Sequence, residues 1–286
     1  MVQSIFPTLQ SYYEGTRWDY RWVWGVRNTY ALHFGYYDEQ ATHHKAAIAN
    51  MNKVMADLAA IKADEKVLDA GCGVGGSSIW LAQNRNCTTV GVTPIESQVK
   101  DAVRNARRQS VSARTSFLLA DYREVPFEDG SFDVVWALES ICHAERKLDF
   151  YREAARLLRP GGRLVIAEYV RKQRPYSEEN EFQLRRWLNN WAIPDLDTVS
   201  EHAAHAQKTG LVDFTFRDIT QHTMRSILNI KEHGYKWLPI ALSLNKWGIV
   251  SDVQISNVWG SLHQYHALEK KLWGYGLLSA RKPNQG

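Results

Sequence analysis

A chain of 286 residues can bury one sizeable core with a cap over it, but two independent domains would be cramped. Its 35 Lys and Arg stand against 31 Asp and Glu, so no broad field would draw in a polyanion, and nucleic acid is not an expected partner. Cys72, Cys87 and Cys142 form no C-x-x-C pair and leave an odd one over, which argues against a disulfide framework or a zinc knuckle and fits a reducing cytoplasm. The start MVQSIFPTLQ lacks a basic-then-apolar leader, and no apolar run reaches about 18 residues, so a soluble cytoplasmic protein without stable membrane insertion is expected.

Taken in chain order, the first feature is aromatic. Residues 12–39 hold ten aromatic side chains and one histidine. Either they pack a lid, or their ring faces wall a site where a cation forms, each face contributing about 0.5–2 kcal/mol. Residues 43–62 then place Ile48, Met51, Met55, Leu58 and Ile61 at helical spacing, which predicts an amphipathic helix lying on a sheet.

Strands are predicted at 66–70, 88–93, 115–120, 132–138 and 163–170, with helices at 76–84, 94–109 and 144–158 and only a loop between the third and fourth strands. Near-continuous apolar strands alternating with helices predict a parallel sheet covered on both faces. RPGG at 159–162 reads as a helix stop and a turn into the next strand. Residues 177–193 and 198–210 look helical, 213–220 looks like a strand, and 224–271 is mostly helical and rich in Trp, Leu and Ile before GYGLLSARKP closes the chain as a seventh strand.

That helical stretch is too long for a turn. The expected architecture is one domain over 1–286: a doubly wound, mainly parallel, seven-stranded α/β sheet from 62–220 and 272–283, an aromatic segment at 1–42 over the active site, and a helical lid at 221–271. Ligands of such sheets sit beyond the carboxyl ends of the strands, where strand order reverses.

At the first of those ends, Gly71-Cys72-Gly73-Val74-Gly75-Gly76 satisfies the dinucleotide fingerprint G-x-G-x-x-G. A pyrophosphate reader should carry an acid at the end of the second strand to hold the ribose, and Thr93 stands there instead. Asp69, two residues before the first glycine, suits a ligand with an amine better than one with two phosphates. S-adenosylmethionine has an ammonium, a sulfonium and no phosphate.

VLDAGCGVGG (67–76) resembles the first motif of the class I S-adenosylmethionine-dependent methyltransferases. ADYREVPFEDGSFDVVWALESICHAERKLDFYREAARLLRPGGRLVIAEYV (120–170) resembles the motifs that follow in their small-molecule branch, which includes tocopherol, sterol and natural-product enzymes. The resemblance runs from about residue 12 to the end and implies a Rossmann-like methyltransferase fold, with Asp69, Gly71 and Gly73 lining the methionine end of the cofactor. GVTPIESQ is similar to the G-(L/I)-T-x-x-x-x-Q stretch of cyclopropane-fatty-acid-type and tocopherol-type enzymes, which puts Thr93 and Gln98 at the ribose. Thr93, Pro94 and Glu96 also read as a capping box. Asp121 and Tyr122 fall at the adenine pocket, although a loop aspartate can simply cap a turn.

ESICHA resembles the E-(A/S)-x-C-H-A stretch of sterol-type enzymes, and Glu139 and His143, four residues apart, become the catalytic pair; the plain alternative is a helix-starting Glu beside a buried, hydrogen-bonded His. Cys142 adjoins His143, but sequence neighbours rarely face each other, so no Cys–His hydrolase is expected. Tyr13, Trp24, His33 and Tyr37 are the expected acceptor-binding residues. The pairs His202/His205 and Asp195/Asp197 fall short of a ligand set and read as a solvated face, so no metal is expected.

The reaction expected is C-methylation of an apolar isoprenoid, prenylated or sterol-like natural product. O- or N-methylation of a sugar, amine or phenol stays open, as does a non-catalytic protein with a retained cofactor pocket. A diphosphate acceptor would need magnesium, with Arg17 and Arg21 available for the charge.

Overall fold

Strand and helix alternate as the apolar periodicity requires. The computed structural model describes residues 9–16 and 29–284; Arg17, Arg21 and Trp24 lie outside them. Helices α1 (Leu9–Gly15) and α2 (His44–Leu58) precede β1 (Lys66–Ala70), α3 (Gly76–Arg85), β2 (Thr88–Thr93), α4 (Glu96–Arg108), β3 (Thr115–Leu119) and β4 (Phe132–Leu138). A single 3₁₀ turn, Ile141–His143, leads to α5 (Lys147–Leu157) and β5 (Leu158–Arg171). There follow α6 (Glu178–Asn190), α7 (Val199–Lys208), β6 (Val212–Asp218), α8 (Thr220–Asn245), α9 (Asp252–Glu269) and β7 (Trp273–Arg281).

The seven strands form one sheet in the order β3-β2-β1-β4-β5-β7-β6. All neighbours are parallel except β7, which runs antiparallel to both β5 and β6. Successive side chains on a strand point to opposite faces, and two cores result. Val67, Val134, Trp136 and Tyr275 meet Met51, Met55 and Trp187 on one face, while Leu68, Val135, Ile166 and Leu278 meet Phe150, Tyr151 and Leu157 on the other. The chain runs from β1 outward to β3 and then returns to β4 on the other side of β1, so the switch point lies where β1 and β4 end. Gly71 and Glu139 are the first residues beyond those two ends.

Three local expectations change. RPGG does not precede the strand. It bulges within it, because Phe132 pairs with Leu158 and Val134 with Arg163, so residues 159–162 have no partners on β4 and Gly161 takes a φ of 75°. Helix α2 stops at Leu58, which is exposed, and Ile61 reaches the core from the turn beyond it. His202 is buried rather than solvated, its Nδ1 3.0 Å from the Tyr151 hydroxyl, and His205 Nε2 lies 2.9 Å from Asp197. Asp195 faces Arg171, Arg174 and Arg185. Among the described residues no three His, Cys, Asp or Glu side chains are grouped to hold a metal.

Candidate active site

The site begins with the glycine loop. Gly71 has a φ of 88°, and a Cβ there would lie 2.3 Å from the Ser140 Cβ; Gly76 lies under the chain at Tyr30, where a Cβ would meet the carbonyl oxygen at 2.2 Å. The loop therefore lets two other segments press on it, the end of β4 and residues 30–33, and between them runs a cleft. Tyr13, His33, Asp69, Gly71, Gly73, Thr93, Gln98, Tyr122, Glu139 and His143 all line it.

Asp69 is buried, and its carboxylate accepts a 2.6 Å bond from the Ser78 hydroxyl. Burial raises its pKa to about 6, so it is mostly ionised at neutral pH. The Thr93 hydroxyl donates to Gln98 Oε1 at 2.7 Å. The expected capping box is absent: α4 starts at Glu96 with Ile95 at its cap, and no side chain caps it, because Thr93 ends β2 and turns into the cleft. Tyr122 donates its hydroxyl to the Ser140 carbonyl at 3.1 Å. Asp121 does not line the cleft. Its carboxylate accepts from the Arg123 backbone N–H at 2.9 Å and from the same residue's guanidinium, the turn geometry that a short acidic side chain favours.

Glu139 is the most constrained residue of the cleft. Its φ of 48° is a left-handed conformation that costs a non-glycine residue about 1–2 kcal/mol. Three donors converge on its carboxylate: the Phe34 backbone N–H and the Tyr275 hydroxyl, both at 2.7 Å to Oε1, and the Tyr169 hydroxyl at 2.5 Å to Oε2. Tyr169 and Tyr275 are direct partners across β5 and β7, so sheet register sets both phenols on one acid. Burial outweighs these bonds and raises the Glu139 pKa to about 7. Phe34 stands T-shaped against Tyr169, with ring centroids 5.6 Å apart.

His143 is partly buried and neutral, its pKa lowered to about 4 by desolvation. The Ala192 carbonyl 3.2 Å from Nδ1 can only accept, so Nδ1 carries the proton and Nε2 accepts from the Tyr13 hydroxyl at 3.0 Å. The same reasoning applies to His33, also lowered to about 4: Nδ1 donates to the Phe34 carbonyl at 2.9 Å, and the buried Nε2 has no hydrogen-bond partner. His33 also lines a second cavity of about 430 Å³ between α8 and α9, walled by Phe34, Ile230, Trp237, Leu244 and Val258. Tyr37 lines neither cavity. It lies beside α8, its backbone bonded to His222 and its ring 5.5 Å from the Arg225 guanidinium.

A methyltransferase domain profile matches residues 68–166, the segment carrying β1 through most of β5. The 27-O-demethylrifamycin SV methyltransferase of Amycolatopsis mediterranei is 30% identical over 263 residues, which span 92% of each chain. The chain belongs to the S-adenosylmethionine-dependent methyltransferases. Within 67% of its length this methyltransferase is also 33% identical to a 24-methylenesterol C-methyltransferase 2 of Oryza sativa subsp. japonica, of which it spans 52%. Its fold is that of the geranyl diphosphate C-methyltransferase of Streptomyces coelicolor, with a TM-score of 0.71 at 17% identity, covering 98% of this chain and 99% of that one.

The cofactor fits the donor set. Asp69 and Glu139 line the cleft, and no Lys or Arg does among the described residues, so the lining favours an ammonium and a sulfonium and offers nothing to paired phosphates. The sequence reading did not find Ser78, Tyr169, Tyr275 or Phe34. It also missed Glu168, a buried acid in the interior strand β5 that accepts from the Cys142 and Tyr169 backbone N–H groups at 2.9 Å. A charged residue inside the apolar run RLVIAEYV was the available signal.

These buried groups set a pH dependence of stability. Burial raises the folded-state pKa of Glu139 to about 7 and of Glu168 to about 8, so their contribution is complete below the unfolded value near 4.5 and is lost as pH rises through 7 and 8. His33, His143, His202 and His263, lowered to about 4, act oppositely, but only between pH 4 and 6.5. Above about pH 6.5 the carboxyls act without that opposition. The urea midpoint is expected to fall from pH 6.5 to 8, and Glu168→Gln to flatten that limb. An unchanged slope in the variant would show that Glu168 does not carry it.

Proposed function

We propose that this methyltransferase methylates carbon on an apolar isoprenoid, prenylated or sterol-like acceptor. The observation supporting this most is that two differently built spaces adjoin: a cleft at the switch point lined by Asp69 and Glu139, and an apolar chamber between α8 and α9, with His33 lining both. In this reading Asp69, Gly71, Gly73, Thr93, Gln98 and Tyr122 hold the cofactor. Asp121 would take part only if it left Arg123. Residues 221–271 act as the lid, and the acceptor's apolar body fills the chamber beneath them.

Bound S-adenosylmethionine supplies an electrophilic methyl group. Attack by an alkene leaves a cation on the neighbouring carbon, and a proton must then leave. Glu139 and His143 both line the cleft, and their proton affinities decide between them. An imidazole held near pKa 4 is a weak base at neutral pH, whereas a carboxylate near 7 is matched to the task. Glu139 therefore takes the proton, and Tyr13, Tyr30 and Tyr122, the aromatic side chains that line the cleft, are the rings available to the charge. His143 holds the Tyr13 hydroxyl in place.

The second reading is O-methylation. It is favoured by the unpartnered His33 Nε2, an acceptor suited to a substrate hydroxyl, and by the rifamycin relative that spans nearly the whole chain. A diphosphate acceptor is disfavoured, since no described Lys or Arg lines either cavity. Incubation with ¹³C-methyl cofactor and a panel of prenylated quinols, sterols and linear isoprenoids, followed by NMR of the products, separates the readings. A new carbon–carbon bond is the expected result; a methyl ether would reject carbon methylation in favour of the second reading.

A further inference from the structure

The outer half of the lid hairpin is exposed in an unusual way. From Tyr235 to Ile255 no residue is fully buried. Trp237 is 51% exposed, Ile240 48%, Trp247 80% and Ile249 69%, with Tyr235 and Leu242 beside them. Other large exposed apolar side chains, such as Leu58, Leu119, Phe182 and Val212, lie on separate elements, so the tip is where they concentrate. Isolated exposed apolar residues need no explanation, but a cluster of this kind does.

The tip is also ordered. The Asn245 side chain donates to the Val250 carbonyl at 2.8 Å and to Asp252 at 2.9 Å, Ile249 N–H donates to the Leu244 carbonyl, and Ser251 and Gln254 form a capping box that starts α9. Trp247 and Ile249 are thus presented on a fixed turn. Between His233 and Ser251 the only fully charged side chains are Lys236 and Lys246, each adjacent to a tryptophan, and there is no acid.

We propose that this tip docks on an anionic lipid bilayer and that the acceptor enters the chamber from the lipid phase. Tryptophan with flanking lysine is the combination that settles at the headgroup level, the ring in the apolar boundary and the ammonium on lipid phosphates. The chamber gives the docking a purpose. Trp237 and Ile240 line it and are still half exposed, so it opens at the docking surface, and its inner end is His33 and Phe34 beside Glu139. An apolar molecule leaving the bilayer would be held in an apolar chamber whose inner wall, His33 and Phe34, adjoins the cleft. The hairpin lies on the membrane without crossing it, since no described helix is long and apolar enough to span one. The proposal deepens the functional reading by naming the phase that holds the acceptor.

The test is flotation of the full chain with phosphatidylcholine vesicles, with and without about 30% phosphatidylglycerol. The wild type is expected to float with the anionic vesicles, less at high salt, and the double variant Trp247→Ser/Ile249→Ser to lose about tenfold or more in partitioning. Adenosylhomocysteine binding by calorimetry should stay unchanged, which shows that the variant is folded. Wild type that fails to float, or a variant that floats equally, overturns the proposal. So does a wild-type dimer in sedimentation that the double variant abolishes while vesicles are ignored, because a second copy would then cover the tip. The position of the new methyl group is read in a separate experiment, so failure of carbon methylation and failure of docking are distinguishable.

Discussion

Glu139→Gln is expected to cut turnover about 10²–10⁴-fold while leaving adenosylhomocysteine affinity within about twofold. The replacement keeps shape and most contacts: the amide oxygen can accept from Phe34 N–H and the Tyr275 hydroxyl, and the amide nitrogen can donate to the Tyr169 oxygen in a reversed bond. What it removes is proton affinity. A base with a pKa near 7 is active when ionised, so wild-type kcat/KM should rise with pH through about 7, and that limb should vanish in the variant. A merely structural Glu139 would change stability without removing the limb. Wild-type turnover in the variant would take this residue out of the mechanism.

Gly71→Ala should abolish measurable cofactor binding, a loss of at least about 10²-fold, and destabilise the protein by about 2–4 kcal/mol. Two effects add. The φ of 88° disfavours any side chain, and the new methyl group would sit 2.3 Å from the Ser140 Cβ. Ser140 cannot easily yield, because its hydroxyl donates to the Ala70 carbonyl at 2.6 Å and its backbone joins Glu139 to the 3₁₀ turn. Gly210→Ala separates the effects, since Gly210 has a similar φ of 77° with nothing within 4 Å of an added Cβ. It should cost only the backbone strain, about 1 kcal/mol, and leave cofactor binding intact. Equal losses at both positions, read by calorimetry and urea unfolding, would show that close packing at the loop is unimportant.

The same pair of residues shows how far the sequence reaches. Gly71 was identifiable because a strand, a glycine run and a helix follow one another within a few residues, and those preferences are local. Glu139 was identifiable as a strand-end acid in ESICHA, but its pKa was not. That depends on burial and on three donors from residues 34, 169 and 275, which no local pattern links. At Asp121 the sequence left two readings open, the adenine pocket and a capped turn. Asp121 stands at the expected strand end, yet an arginine two residues on takes its carboxylate, and that competition is settled only by side-chain geometry.

By itself, the sequence determined the order of elements, the two-faced sheet, the donor loop and a cofactor without phosphates, because periodicity, turn chemistry and charge act over short stretches of chain. The tertiary structure alone decided which phenols meet Glu139, which histidines stay neutral, and that an apolar chamber between α8 and α9 adjoins the cleft at His33. Those depend on strand register and desolvation, and both arise only when distant segments pack together.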